Sequence, residues 1–199
     1  MGALHSRSSF WLKQGIFDGL RSFDEFESRV NPIPEEKDRG DVFEIFIEGY
    51  LATQPIAQCV QHWVVGQIPL VLREKYRLPR DPTGIDGIYE THDGQHVAYQ
   101  VKYRQKQLLT FTEVAPFLGI TEKFTDRVIF TNAATLSDKA LVRTRWVSIF
   151  HQLSADALAE IEAWLKQEPP PIIRRTPEPR QIEALAEIKA ELRRSDTRS

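Results

Sequence analysis

The sequence predicts an α/β domain whose mixed central β-sheet is flanked by helices. Three observations carry that expectation. A long segment with apolar residues at three- and four-residue spacing comes early in the chain. Short runs rich in β-branched and aromatic residues follow it. A helical pattern is interposed between the last two of these runs, and that ordering belongs to α/β architecture.

Taken in order, Ser22 and Glu25 have capping-box spacing ahead of a short helix carrying Phe23 and Phe26. Pro34 stands at a first helical position, with Glu35 and Glu36 in the first turn of a longer helix that runs to Gln54. Val42, Phe43, Phe46, Ile47, Tyr50 and Leu51 mark its apolar face, and Glu44 and Glu48 share a flank. Strands are expected at 62–65, 85–90, 96–103, 127–132 and 145–150. Short helices are expected at 113–118 and at 136–142, the second with Ser137 as cap. Ser154 caps a helix through ADALAEIEAWLKQ. Five prolines in EPPPIIRRTPEPRQ (Pro169, Pro170, Pro171, Pro177 and Pro179) then make a stiff, extended linker, and a last helix follows it. The chain thus divides into an N-terminal extension (1–21), a main domain (22–167), a linker (168–180) and a C-terminal helix with a polar tail (181–199). It has no internal repeat.

Composition narrows the function classes. The 199 residues are 41% hydrophobic and 27% charged, the balance of a globular protein. Lys and Arg number 26 against 28 Asp and Glu, so a net charge of −2 gives no global argument for nucleic-acid binding. Cys59 is the only cysteine, which excludes an internal disulfide and fits a reducing cytosol. No apolar run is long enough to span a bilayer. Gly2 and Ser6 match a myristoylation pattern short enough to arise by chance. A cytoplasmic location is expected. The histidines show no metal-binding spacing, and Trp11, Trp63, Trp146 and Trp164 sit in apolar runs that suit a core.

The stretch GIDGIYETHDGQHVAYQVKYR carries the chemistry. Alternation along its second strand puts His96, Ala98, Gln100 and Lys102 on one face, and Val97, Tyr99, Val101 and Tyr103 on the other. Two hairpin registers are open. A two-residue Asp93-Gly94 turn sets Asp86 opposite Val101, facing the core. A three-residue loop, with Gly94 left-handed, sets Asp86 opposite Gln100 and beside Lys102, all on one side. The second arrangement suits phosphodiester hydrolysis, which needs a hard cation held by oxygen ligands. Asp86 offers a carboxylate, Val101 a backbone carbonyl, Gln100 a neutral oxygen and Glu44 a second acid. Lys102 would orient water or stabilise charge at phosphorus. Singly, such residues read as a turn aspartate and a solvated strand face; their tight spacing favours a site.

The array GDVFE in a helix, GIDG at a strand and VAYQVK on the next resembles the Mrr-like branch of the PD-(D/E)xK nucleases, over roughly residues 20–152. Ile85 replaces the proline of the superfamily's name. The resemblance implies a restriction-endonuclease-like fold and an Mg²⁺-dependent endonuclease acting on double-stranded DNA, with Mn²⁺ able to substitute. It implies that Asp86 binds metal, Gln100 replaces the second acid, Lys102 is catalytic, and Glu44 is the helical glutamate while Glu48 stays solvated. Thr131 and Asn132, ending the next strand, would contact phosphate, and Arg104 and Lys106 would flank its track. The nearest flavour is the nuclease domain heading ATP-dependent type ISP restriction enzymes. TPEPRQIEALAEI resembles the entry to a helicase, with Gln181 as its adenine-reading residue, so a helicase or translocase in the same or a longer chain is the expected partner. No phosphate-binding GxxxxGK[ST] occurs in these residues. A catalytically silent DNA-docking domain and a dimeric junction resolvase are the alternatives.

Overall fold

Ser22, the expected cap, accepts a hydrogen bond from the Glu25 amide and starts a helix where its spacing predicts one. The computed structural model in which this is seen describes residues 5–80, 82–105 and 107–171. Its helices are α1 (Ser8–Lys13), α2 (Phe23–Val30), α3 (Glu36–Thr53), α4 (Leu70–Tyr76), α5 (Phe111–Ile120), α6 (Asp138–Leu141) and α7 (Ala155–Lys166). Its strands are β1 (Cys59–Val64), β2 (Gly87–Thr91), β3 (His96–Lys102), β4 (Leu108–Leu109), β5 (Asp126–Thr131), β6 (Thr135–Leu136) and β7 (Arg145–Val147).

The main sheet has the order β1-β2-β3-β5-β7. β1, β2 and β3 pair antiparallel, whereas β3, β5 and β7 pair parallel, so the sheet is mixed. Helices cover both faces, which is why its central strands are apolar on both sides. Tyr89, Val97, Tyr99, Val101, Val128 and Phe130 pack with α1, α2, α3 and α7. Ile88, Ala98 and Ile129 pack with α4, α5 and α6 on the other face. This is the expected α/β architecture with a mixed central sheet and flanking helices.

Several boundaries move for physical reasons. Helix α3 begins at Glu36 behind Glu35, with Pro34 outside it. Only Arg145–Val147 of the run 145–150 is strand; a 3₁₀ turn, Ile149–Gln152, follows and buries Phe150 completely. Leu136 belongs to β6, and Ser137 precedes α6 without making a side-chain cap bond. Helix α5 is longer than 113–118 because the Glu113 carboxylate accepts from the Thr110 amide at 2.9 Å and anchors an earlier start. The sequence pattern gives no sign of α1, α4 or the β4–β6 pair. The N-terminal segment is woven into the core: Trp11, Phe17 and Leu20 are buried against α2 and α3. The linker beyond residue 171 and the expected C-terminal helix lie outside the described residues.

Candidate active site

Loop length decides between the two registers. Thr91 N–H donates to the Gln95 carbonyl and Gly94 N–H to the Thr91 carbonyl, both at 2.9 Å. Gly94 has φ +78°, which glycine adopts without strain. The loop is therefore His92-Asp93-Gly94, and the ladder runs Glu90↔His96, Tyr89↔Val97, Ile88↔Ala98, Gly87↔Tyr99. At Asp86 the pairing changes. Its amide also donates to the Tyr99 carbonyl, at 3.0 Å, so Asp86 and Gly87 both stand against Tyr99 in the manner of a bulge. Gly87 is demanded here, since any Cβ would overlap the Trp63 carbonyl and the Tyr99 hydroxyl.

The bulge leaves the Asp86 carboxylate in line with the ladder, where Oδ2 accepts the Val101 N–H at 2.6 Å. It fills the place that a β2 carbonyl would hold. The acid lies at the seam where β2 leaves β3, its carboxylate bonded to the backbone of the strand that carries Gln100 and Lys102. From there it interacts with Lys102, the last residue of β3, and with Glu44 on α3.

Gln100 is 3% exposed. Its Nε2 donates to the Gly84 carbonyl at 2.7 Å, which fixes the amide orientation, because the reverse would set two oxygens together. Its Oε1 is then buried without a hydrogen-bond partner. A buried orphan acceptor costs roughly 1–3 kcal/mol. Strand β3 thus holds, two residues before Lys102, an oxygen that nothing among the described residues satisfies.

The acids of the site resist ionisation. Burial, followed by repulsion from Asp86, Asp41 and Glu48, raises Glu44 to about 8, and Lys102 opposes the rise. Burial likewise raises Asp86, to about 6, against the Val101 N–H bond and the Lys102 charge. Tyr99, wholly buried beside Glu48, Asp86 and Glu44, is pushed well above its ordinary value, chiefly by burial.

Glu48 departs from expectation. It is 1% exposed rather than solvated: His5 N–H donates to its Oε1 at 2.9 Å, and His62 Nε2 lies 3.6 Å from Oε2. Sequence reasoning also misses His5 and Asp41. The His5 Nε2 is 3.6 Å from Glu44 Oε2 and 3.8 Å from Asp41 Oδ1. Asp41, three residues before Glu44, is legible as a neighbour on one helix flank. His5 reaches the cluster from the far N-terminal end of the chain, so no local spacing reveals it.

The expected phosphate contacts fare differently. Thr131 is fully buried, and its hydroxyl donates to the Lys102 carbonyl at 2.6 Å. Asn132 is 4% exposed, accepts from the Arg104 amide and donates to Glu27. Both spend their polar atoms tying strand ends together and cannot reach a phosphate in this arrangement. Arg104 is engaged by Glu113 at 2.6 Å, by Glu36 at 3.1 Å and by the Tyr103 carbonyl. Lys106 lies outside the described residues.

Comparison with family models, curated proteins and solved structures finds no match for the chain.

Proposed function

We infer that the domain is a divalent-metal-dependent DNA endonuclease. One observation carries this reading: a buried Asp86, Lys102 and a proton-holding Glu44 interact where β2 parts from β3, and Gln100, two residues before Lys102 on the same strand, keeps an orphaned buried oxygen. A fold alone has no use for an unsatisfied Oε1, or for two interacting carboxyls that are costly to ionise. A hard cation explains all three, because it accepts oxygen donors only and favours the ionised carboxylates. Asp86, Glu44, Gln100 Oε1 and the Val101 carbonyl are the residues that would hold Mg²⁺ or Mn²⁺. When bound, the ion supplies an acidified water and charge neutralisation at the scissile phosphate.

The protein's own groups do the rest. Val101 N–H and the bulge hold the Asp86 carboxylate in place. The Gly84 carbonyl aims Gln100 Oε1. Thr131 and Asn132 fix the end of β3 and so the Cα from which Lys102 extends. The Lys102 ammonium, near both acids, stabilises negative charge developing on a nucleophile or a phosphoryl oxygen. The type ISP kinship, the double-stranded substrate and a helicase partner belong to the same proposal and rest on the sequence resemblance.

The test is incubation of the chain with supercoiled plasmid and Mg²⁺ or Mn²⁺, beside Asp86→Ala. Metal-dependent relaxation that Asp86→Ala abolishes supports the reading. Unchanged plasmid, with DNA binding intact, assigns the domain to the catalytically silent class instead.

A further inference from the structure

A second group of ligating side chains lies on the α2 side of the molecule. Asp24 and Glu27, one turn apart on α2, come together with His151 from the 3₁₀ turn that follows β7. One ligating atom from each lies within 4.8 Å of the other two. The His151 Nδ1 is 3.1 Å from Asp24 Oδ1. Two ligands of one zinc-class ion sit about 3.4 Å apart in a tetrahedron and at most about 4.2 Å apart in any geometry. The Asp24–His151 spacing already meets this, and side-chain rotation of about an ångström closes the rest.

Two of the three ligands are held by neighbours from outside the cluster. The His151 ring packs edge-on against Phe23, at 5.0 Å and 89°. The carboxylate of Glu27, a residue only 6% exposed, receives Asn132 Nδ2 at 2.7 Å, and Asn132 Oδ1 in turn receives the Arg104 amide at 2.5 Å. Outer partners of this kind orient ligating carboxylates and imidazoles in metal sites. Asp24 and His151 are the exposed members, with side chains 72% and 40% accessible, so they open an entry path. One imidazole with two carboxylates selects zinc, cobalt, nickel or manganese over calcium or magnesium.

We propose that Asp24, Glu27 and His151 form a transition-metal site of the zinc class, separate from the Asp86 cluster. It clamps α2 to the turn after β7 and, through Asn132, braces the chain just beyond Lys102. The proposal does not depend on nuclease activity. It is tested by titrating Zn²⁺ into the metal-stripped full chain by calorimetry, and Co²⁺ by visible absorption. One saturable site of micromolar or tighter affinity is expected, with tetrahedral or five-coordinate cobalt bands. His151→Ala and Asp24→Asn, both at exposed positions, should each weaken binding at least about tenfold while circular dichroism stays unchanged. Asp86→Asn and Glu44→Gln should leave it intact. Absence of saturation up to millimolar metal overturns the proposal. So does binding that survives His151→Ala and Asp24→Asn, or binding lost with Glu44→Gln.

Discussion

At the scale of single residues, the proposed chemistry turns on Lys102 and Glu44. Lys102 sits beside two acids that resist losing their protons, and its charge opposes both rises. Lys102→Ala should therefore lower cleavage about a hundred- to a thousandfold, the scale of losing a charge-stabilising donor. DNA affinity should change little, with a salt slope lower by about one unit. An equal loss in binding and cleavage would instead make Lys102 a phosphate-positioning residue. Glu44 makes a prediction in pH. A carboxyl with a raised pKa keeps its proton longer in the folded chain, so the unfolded chain holds fewer protons, and stability falls as pH rises through the window. For Glu44 the window runs from 4.5 to about 8, and for Asp86 from 3.8 to about 6. Thermal stability without metal should decline between pH 5 and 8, and Mg²⁺ should stabilise most at the alkaline end. Glu44→Gln should flatten the decline and blunt the Mg²⁺ effect. Stability that rises across this range, or a variant as pH-sensitive as the parent, would show that these carboxyls ionise freely. The approach of Asp86 to Lys102 is legible because both lie within a short stretch of chain. The burial of Glu48 is not, because its partners His5 and His62 lie far from it in the sequence.

At the scale of elements, the hairpin shows what local pattern can and cannot fix. The loop His92-Asp93-Gly94 is one of two registers the sequence allows, and Gly94 at positive φ realises it. The bulge at Asp86 has no such signature; it arises because Gly87 lets the Tyr99 ring close against β2. These two glycines should therefore respond differently to a methyl group. A Cβ on Gly94 meets nothing within 4 Å, so Gly94→Ala costs only backbone strain, about 1 kcal/mol. Gly87→Ala collides with backbone and a buried ring and should cost about 1–3 kcal/mol, while also displacing Asp86. Denaturant titration measures both, and equal costs would remove the close-approach argument. Caps are equally local, and Ser22 and Ser154 both accept the amides their spacing predicts. The run 145–150 misleads because its strand-like residues serve two ends. Trp146 and Val147 extend the sheet edge, whereas Phe150 must turn inward to reach Phe23, Phe43 and Tyr50.

At the scale of the whole molecule, charge and covering decide how the domain behaves alone. With a net charge of −2, and with Arg104 committed to Glu36 and Glu113, the surface offers DNA little electrostatic attraction. The proposed site would offer a cation one buried aspartate, one proton-holding glutamate and a neutral glutamine, so low affinity without substrate oxygens is expected. The isolated chain should nick plasmid weakly, better with Mn²⁺ than Mg²⁺ and without sequence preference. Efficient site-specific cutting would mark a self-sufficient restriction enzyme, with no need of a motor to raise local DNA concentration.

The N-terminal segment carries the last prediction. Composition sets residues 1–21 apart as an extension, because no periodicity there reaches the length of a recognisable element. The fold joins them to the core through side chains that are apolar but irregularly spaced. Trp11, Phe17 and Leu20 are 6%, 1% and 5% exposed, and Arg29 donates to the carbonyls of Gly15, Ile16 and Asp18. Arg7 pairs with Asp38 and Asp41, and His5 holds Glu48. Truncating one such large apolar side chain costs about 2–5 kcal/mol, and a domain's whole stability is about 5–15 kcal/mol. Removing residues 1–21 should therefore abolish cooperative unfolding and leave the chain insoluble or molten, with the Glu44 and Glu48 flank of α3 opened to water. Circular dichroism in the near ultraviolet and a thermal melt read this directly. A soluble truncated chain that melts sharply at the parent's midpoint would show that the segment merely lies on a core complete without it.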